Sequence, residues 1–284
     1  MTKDEAKLSG GVAVITGAGS GIGAGIARRA GNLGMTVIAA DIDQVAAGAV
    51  AGEIRAAGGK AEAIKVDVSR HAELDRLAEL VYGRFGAVRL LVNNAGIETL
   101  GYCWEIPTER WEATLNINLH GVIHGVRAFV PRMLASGEEC WIANLASIGS
   151  FGIMPTQSAY MVTKHAIQSF SESLFLEMQL KGAPIHVSSV IPGYVKSAIF
   201  AANQASDEPA DAARHRQTMN AMMQAHGMDA DEAGRVILEG VAAGRFWVST
   251  QPELTREMIA VRVAYLQDQA DPPLTGETRA LLGL

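Results

Sequence analysis

Three side chains near the middle of the chain have the types and the spacing of a proton-transfer site. Ser147 is followed thirteen positions later by Tyr160, and Lys164 comes four positions after that. A phenol whose ordinary pKa is about 10 exchanges protons near neutral pH only where positive charge stabilises the phenolate. Because Tyr160 and Lys164 are one helical turn apart, the Lys164 ammonium group can supply that charge. The pattern predicts that Tyr160 is a general acid or base and that Ser147 orients a substrate oxygen.

Each of these residues alone has an ordinary structural explanation. A Tyr and a Lys one turn apart are usually surface neighbours, and a Ser that follows a strand is usually a helix cap. The catalytic interpretation therefore depends on a second, independent motif in the same chain.

That second motif is a glycine-rich turn at residues 16–23. Gly17, Gly21 and Gly23 stand between a β-rich run at 12–16 and a helical pattern at 21–33. Glycines permit a tight strand-to-helix turn and let the backbone approach a pyrophosphate, which then faces the N-terminus of the helix. Glycine also serves ordinary turns, but here the flanking strand and helix provide the context of a dinucleotide site. We predict cofactor contacts from the three glycines and from Ser20 and Ile22 in the same turn.

An acidic residue at the end of the second predicted strand indicates which dinucleotide is bound. The Asp41 carboxylate can accept hydrogen bonds from the adenosine ribose hydroxyls. A ribose 2′-phosphate would meet its negative charge, and neither Ser20 nor Ile42 offers a compensating cation. The sequence therefore predicts NAD as the cofactor. The alternative is structural: Asp43 is placed to cap the following helix, and Asp41 could share that role.

Short β-rich runs alternate with longer helical patterns over most of the chain, as in parallel strands joined by helical crossovers. The near-continuous apolar strands indicate burial on both faces. We therefore predict a single α/β domain over residues 1–284, with a doubly wound, Rossmann-type, seven-stranded parallel sheet and helices on both faces. The predicted strands are 12–16, 36–40, 63–66, 90–92, 141–145, 186–191 and 246–249, and the predicted helices are 21–33, 44–57, 72–82, 111–135, 158–180 and 252–270.

Composition excludes several classes of partner. The formal net charge of −6 offers no general attraction to nucleic acid or anionic membranes. Hydrophobic residues make up 49% of the chain, which is enough to fill a large core. Cys103 and Cys140 form no CxxC pair, which favours a reducing compartment over a disulfide framework or a zinc site. The first nine residues lack the apolar stretch of a signal peptide, and no apolar run is long enough to span a bilayer. We expect a soluble cytoplasmic protein.

Taken together, these motifs resemble the short-chain dehydrogenase/reductase family, in particular its compact one-domain subgroup, over residues 8–249. The resemblance implies an NAD-dependent oxidoreductase that transfers a hydride between nicotinamide and a secondary alcohol or ketone. It implies catalytic roles for Asn118, Ser147, Tyr160 and Lys164, with Asn118 positioning a proton-relay water and Lys164 also holding the nicotinamide ribose. The family usually has Thr where this chain has Ser197, which keeps the hydroxyl donor. The further cofactor residues implied by the resemblance are Asp67, Val68, Asn94, Ala95, Gly96, Tyr160, Lys164, Pro192, Gly193, Val195 and Ser197.

The resemblance also bears on assembly and on the substrate. It implies a homotetramer built through the helices at 111–135 and 158–180, although their apolar faces could equally serve the core of one subunit. Segments 164–167 and 245–248 are loosely similar to a branch that includes aryl-alcohol dehydrogenases. This similarity favours an aromatic substrate, and the mixture of residues on the pocket loops favours a moderately hydrophobic secondary alcohol or ketone.

The substrate pocket should draw on loops at the carboxyl edge of the sheet. We predict substrate contacts from Ser147, Phe151, Met154 and Tyr194, with core packing as the competing role for the apolar members. Residues 198–230 are predicted to form a substrate lid whose methionines either pack or line the pocket, and residues 252–284 form a C-terminal helix and tail. The other candidate wall residues are Glu98, Thr99, Ile148 and Gln157.

Three alternatives are weaker. His120 and His124 have the spacing of two metal ligands on one helix but no evident third ligand, so packing is favoured and no metal is predicted. Ser147 lacks the Gly-x-Ser-x-Gly context of a hydrolase nucleophile. A non-catalytic NAD-binding regulator on the same fold stays open, because architecture alone does not establish turnover.

Overall fold

The chain folds around a seven-stranded parallel sheet, which confirms the predicted fold class. A computed structural model describes residues 1–202 and 208–283. The strand order is β3-β2-β1-β4-β5-β6-β7, so the chain winds outward from β1 in one direction and from β4 in the other. The strands are β1 Val12–Thr16, β2 Thr36–Asp41, β3 Lys60–Lys65, β4 Leu90–Asn93, β5 Cys140–Leu145, β6 Ile185–Ile191 and β7 Trp247–Ser249.

Helices connect the strands and cover both faces of the sheet. Asp43 begins the second helix as its N-cap, since its carboxylate accepts from the amides of Val45 and Ala46. The helices are α1 Gly21–Asn32, α2 Gln44–Ala56, α3 His71–Phe85, α4 Thr108–Thr114, α5 Gly121–Ser136, α6 Ser158–Lys181, α7 Ala210–His226, α8 Ala230–Ala242, α9 Pro252–Gln267 and α10 Gly276–Leu281.

Two apolar layers explain why the sheet is doubly wound. On one face, Ile26 of α1, Ile54 of α2 and Ile237 of α8 pack on the buried side chains of the central strands. On the other face, Phe129 of α5 and Leu174 of α6 belong to a second cluster with α3. Since the central strands are buried on both faces, their side chains need no polar alternation.

The helix predicted at 111–135 differs from the structure in its start and in its regularity. It begins at Thr108, and between α4 and α5 the backbone forms a π-helical segment over Leu115–His120. Such segments insert an extra residue per turn and are common at functional sites. Asn118 lies within this one and is fully buried.

The register of the central strands brings the candidate site residues to one edge. Ile15 pairs with Val92, and Leu145 pairs with Val190. The loops that follow β1, β4, β5 and β6 therefore leave the sheet side by side, at its carboxyl edge, where ligands bind in open α/β sheets. Among the described residues, no helix combines the length and apolarity needed to cross a bilayer.

Candidate active site

A cavity of about 620 Å³ lies at this carboxyl edge, within the size range of ligand pockets. It brings the glycine-rich turn together with Ser147, Tyr160 and Lys164. Of the predicted cofactor and catalytic residues, Gly23 and Asn118 do not line it. The predicted cofactor residues that do are Gly17, Ser20, Gly21, Ile22, Asp41, Asp67, Val68, Asn94, Ala95, Gly96, Tyr160, Lys164, Pro192, Gly193, Val195 and Ser197.

The glycine-rich turn is held closed by the loop after β4. Gly17 has φ +65°, a left-handed conformation that disfavours other residues. The Asn94 Nδ2 atom donates to the carbonyl oxygens of Thr16 and Gly17, at 2.9 and 3.1 Å. Gly23 lies behind the turn, where a Cβ atom would stand 2.1 Å from the Gly17 oxygen. Gly23 therefore shapes the turn from outside the cavity.

Asp41 reaches the same turn from the end of β2. Its Oδ2 atom accepts from the Gly19 amide at 2.8 Å, and its Oδ1 atom accepts from the Asp43 amide at 2.9 Å. Each carboxylate oxygen retains a second lone pair for a further donor. Ile42, the next residue, is 60% exposed beside the cavity. A carboxylate fixed beside a glycine turn fits the ribose and pyrophosphate of a dinucleotide.

The predicted cofactor residues Asp67 and Val68 occupy the loop after β3. The Asp67 Oδ1 atom accepts from the amide and the hydroxyl of Ser69, at 3.0 and 2.6 Å. Val68 is buried, and its carbonyl oxygen lies 3.1 Å from His124 Nδ1. Asp67 therefore stabilises its own loop, while Val68 presents an apolar surface to the cavity.

Ser147, Tyr160 and Lys164 converge at the other end of the cavity. Ser147 follows β5, and its Oγ atom accepts from the Gly149 amide at 3.0 Å. Lys164 is buried, and its Nζ atom donates to the Leu145 carbonyl oxygen at 2.7 Å. The same Nζ atom lies 5.4 Å from the centroid of the Tyr160 ring. The hydroxyl, the phenol and the amine thus share one cavity.

The surroundings of the Tyr160 phenol favour its protonated form. Burial raises the pKa of Tyr160, the Glu98 carboxylate raises it further, and the Ser147 hydroxyl only partly opposes the rise. Burial also lowers the pKa of Lys164 to about 8, with Glu98 opposing that fall. At the high pH that is needed to ionise the Tyr160 phenol, the Lys164 amine has already lost its proton and carries no positive charge. That Lys164 lowers the Tyr160 pKa during the reaction stays a prediction.

Glu98 is the acidic residue that raises the pKa of the Tyr160 phenol. Its side chain is 1% exposed and lines the cavity. Oε2 accepts from Gln157 Nε2 at 2.8 Å, and Oε1 accepts from the Thr99 amide at 3.1 Å. Burial raises the pKa of Glu98 to about 8, against the opposing effect of these hydrogen bonds. At neutral pH the carboxyl group is therefore largely protonated.

Asn118 supports the site from behind. Its Oδ1 atom accepts from the Ile97 amide at 2.8 Å, and its Nδ2 atom donates to the Ile97 carbonyl oxygen at 2.9 Å and to Thr163 Oγ1 at 3.3 Å. These bonds tie the loop after β4 to the π-helical segment and to α6. That Asn118 also positions a water molecule stays a prediction.

The predicted substrate residues Ser147, Phe151, Met154 and Tyr194 all line the cavity, as do Glu98, Ile148 and Gln157. Thr99 does not line it, because its hydroxyl accepts from Thr114 Oγ1 at 2.8 Å inside the protein.

The predicted lid segment contributes a cavity wall through α7. Met219 and Met223 are buried with Phe200 and also line the cavity, so these methionines both pack and face the ligand space. Part of the lid prediction, residues 203–207, lies outside the described residues. Closure of the segment stays a prediction.

Sequence reasoning missed two contributions to the cavity. His215 of α7 lines it, one turn before Met219. The four-residue spacing of His215, Met219 and Met223 is the signal that would have shown a shared face. The C-terminal region also lines the cavity through α9 and the tail, with Met258, Val261, Arg262, Tyr265, Pro272, Pro273, Leu274, Thr275, Thr278 and Leu281.

The paired histidines of the long helix have other partners. His120 Nδ1 lies 2.8 Å from Asn116 Oδ1, and His124 Nδ1 lies 3.1 Å from the Val68 carbonyl oxygen. Within the described ranges there is no cluster of three or more His, Cys, Asp or Glu side chains suited to a metal ion.

Comparison with known proteins agrees with this geometry. Residues 11–208 match the family model described as short chain dehydrogenase. The chain is 36% identical over 196 residues to cyclohexanol dehydrogenase from Acinetobacter sp. (strain SE19), covering 69% of this chain and 77% of that protein.

Solved structures of the same kind bind either nicotinamide dinucleotide. A short-chain dehydrogenase/reductase from Burkholderia phymatum in complex with NAD has a TM-score of 0.90 and 31% identity, covering 95% of this chain and 99% of that one. A metagenomic short-chain oxidoreductase in complex with NADP has a TM-score of 0.63 and 35% identity, covering 67% and 85%. From the family match and the fold, this chain belongs to the short-chain dehydrogenase/reductase family of oxidoreductases.

Proposed function

We propose that this protein is an NAD-dependent dehydrogenase/reductase acting on a moderately hydrophobic secondary alcohol or ketone. The observation that carries the proposal is the single cavity that joins the glycine-rich turn and Asp41 to Ser147, Tyr160 and Lys164. A hydride acceptor bound along the turn and an alcohol bound at Ser147 would then lie in one enclosed space, as hydride transfer requires.

The choice of NAD over NADP rests on charge. Asp41 presents a carboxylate to the part of the cavity beside the glycine turn, where NADP would place a further phosphate. The neighbouring Ile42 and Ser20 carry no positive charge. The NAD complex of the Burkholderia phymatum relative supports the same choice.

In the oxidation, Tyr160 accepts the proton of the alcohol hydroxyl, and in the reduction the same phenol donates a proton to the carbonyl oxygen. Ser147 holds that oxygen through its hydroxyl. When bound, the nicotinamide supplies hydride acceptance in the oxidation and hydride donation in the reduction. The raised pKa of Tyr160 keeps the phenol protonated at neutral pH, which suits the reduction directly.

The oxidation needs positive charge beside the phenol. Lys164 supplies it below its own pKa of about 8, and the amine is held near the ring by its bond to the Leu145 carbonyl oxygen. We propose that Lys164 also holds the nicotinamide ribose. We assign Asn118 a positioning role, since it fixes the backbone of Ile97 at the cavity wall.

The walls of the cavity favour an apolar substrate body. Phe151, Met154, Phe200, Met219 and Met223 all line it. Such side chains suit an alicyclic, aromatic or aliphatic secondary alcohol. The similarity to a cyclohexanol dehydrogenase supports this class.

Turnover measurements test the proposal. Purified protein with NAD or NADP would be assayed for reduced nicotinamide against cyclohexanol and against a panel of aromatic, steroid and aliphatic secondary alcohols. We expect NAD-dependent turnover, and at least a hundredfold loss of kcat in Tyr160→Phe, on the order of general acid–base contributions. Unchanged NAD binding in that variant would show that the site is intact. NAD binding without turnover across the panel would instead favour the regulator.

A homotetramer is part of the same proposal. Val162, Leu176 and Leu180 of α6 are apolar and 50%, 57% and 87% exposed. Burial of such a face against a second copy is favourable. Solution mass by light scattering would test this, and a monomer at micromolar concentration would contradict it.

A further inference from the structure

The residues that line the cavity include His215, a buried histidine whose hydrogen bonding is incomplete. His215 is 0% exposed, and its Nε2 atom has no hydrogen-bond partner within the described part of the chain. The other three buried side-chain atoms in this condition belong to Asn93, Trp141 and His165, which do not line the cavity. An unpaired buried nitrogen destabilises the folded protein, and a ligand hydroxyl that reached it from the cavity would remove that cost.

The imidazole ring is held in a defined orientation. Its Nδ1 atom lies 2.8 Å from Thr156 Oγ1. Thr156 is itself buried and has φ +64°, a rare conformation for a β-branched residue. The Thr156 carbonyl oxygen accepts from the Gly101 amide at 2.9 Å, which holds the segment in place. A fixed ring presents Nε2 in one direction, as recognition of a ligand requires.

His215 stands among apolar side chains. Met219 and Met223 follow it at four-residue intervals on the same face of α7, and Phe200 completes this part of the wall. Burial and the Arg216 charge lower the pKa of His215 to about 4, so the ring is neutral near pH 7. A neutral ring offers a hydrogen bond without a charge.

Neutral imidazole has one donor and one acceptor nitrogen. If Nδ1 donates to the Thr156 hydroxyl, Nε2 is an acceptor. If Nδ1 accepts from that hydroxyl, Nε2 is a donor. A hydroxyl group satisfies either case, because it both donates and accepts.

We propose that His215 is a specificity-determining residue whose Nε2 atom binds a second hydroxyl group of the substrate, at a site separate from the carbon that reacts. The inference rests on the proposed function and narrows its substrate class to diols and hydroxyketones with an otherwise apolar body. Tyr160 and Ser147 bind the reacting oxygen, and His215 binds the second one.

The test compares substrate pairs that differ only by exchange of hydroxyl for methyl. Each cyclohexanediol regioisomer would be paired with the methylcyclohexanol of the same substitution pattern, and (hydroxyphenyl)ethanols with tolylethanols. The measured quantity is the ratio of kcat/KM within each pair. In the wild type we expect at least one pair in which kcat/KM is about tenfold higher for the hydroxyl compound than for the methyl compound. This is the effect of one hydrogen bond to an otherwise unpaired group.

Two variants locate that preference. His215→Phe keeps the ring shape without the nitrogens and should abolish the preference, while His215→Gln keeps a polar group and should retain part of it. Met219→Leu, one turn along the same face, should change both members of a pair by the same factor. Circular dichroism and NAD binding would verify folding.

The outcomes are distinguishable. No pair preference in the wild type, or a preference that survives in His215→Phe, overturns the inference while leaving the proposed function standing. If His215→Phe fails to fold, the wild-type ratios and His215→Gln decide. Absence of turnover with every alcohol overturns the proposed function and this inference with it.

Discussion

Replacement of Glu98 by Gln tests the charge assignments in the site through protein stability. Glu98 is 1% exposed, and burial raises its pKa from an ordinary 4.5 to about 8. Near neutral pH the folded protein therefore holds a proton on this carboxyl group, whereas the unfolded chain releases it. Folding is linked to proton uptake at this one residue.

The sign and size of the effect follow from that linkage. Between pH 4.5 and about 8 the unfolded chain binds fewer protons at Glu98 than the folded protein does, so stability falls as pH rises through this window. The loss approaches roughly 1.4 kcal/mol per pH unit. The Glu98 penalty thus grows from roughly 1 kcal/mol at about pH 5 to roughly 3 kcal/mol at about pH 7.

Glu98→Gln should remove this dependence. Gln replaces one of the two carboxyl oxygens by an NH2 group, which cannot accept the hydrogen bond that this oxygen receives from Gln157 or from the Thr99 amide. This loss is the same at every pH. The free energy of unfolding of the variant, relative to the wild type, should therefore rise by roughly 2 kcal/mol between about pH 5 and about pH 7.

Urea unfolding at several pH values measures this difference. Glu112→Gln, at an exposed position of α4, is the matched control. The difference between its free energy of unfolding and that of the wild type should stay the same across these pH values. A pH-independent difference between Glu98→Gln and the wild type would refute the reasoning, because it would mean that Glu98 is ionised in the folded protein.

Two further predictions concern the cofactor and the loop after β4. Asp41→Ala should raise KM for NAD by roughly tenfold to a hundredfold, because hydrogen bonds to a charged group are lost. It should also reduce the preference for NAD over NADP. Asp43→Ala removes only a helix cap, and should lower stability by about 1 kcal/mol with an unchanged cofactor ratio; an equal change in both variants would count against Asp41. Asn118→Ala leaves the Ile97 amide and carbonyl without their partners, so we expect roughly 2–4 kcal/mol lower stability in urea and a lower kcat. Wild-type stability and wild-type kcat in Asn118→Ala would show that the Asn118 side chain does not hold the loop after β4 in position.

Local patterns were sufficient to predict the scaffold and the meeting of the two motifs. The apolar runs of β1 and β5 are buried throughout, so their composition alone indicates central strands of a parallel sheet. Tyr160 and Lys164 share a helix, and their proximity follows from the helical repeat. The glycine turn lies at the end of β1, and strand register brings it to the same edge as Ser147.

Properties set by burial or by distant residues could not be predicted in this way. The raised pKa of Tyr160 depends on its burial and on Glu98, which is 62 positions earlier in the chain. The side-chain bonds of Asn118 depend on the backbone position of Ile97. His215 reaches the cavity only because α7 folds across it, a long-range contact that no local spacing near the motifs reveals.

The ionisable groups of the site suggest how proton transfer is coupled to the direction of the reaction. Burial favours the neutral forms of Tyr160 and Glu98, so near neutral pH the protein alone presents a protonated phenol beside a protonated acid. Such a phenol is ready to donate a proton, as reduction of a ketone requires. It accepts a proton only where positive charge adjoins it, and Lys164 provides that charge below its pKa of about 8. An oxidised nicotinamide ring bound in the cavity would add further positive charge, so the phenol would be a better base when the cofactor is in the state that accepts a hydride.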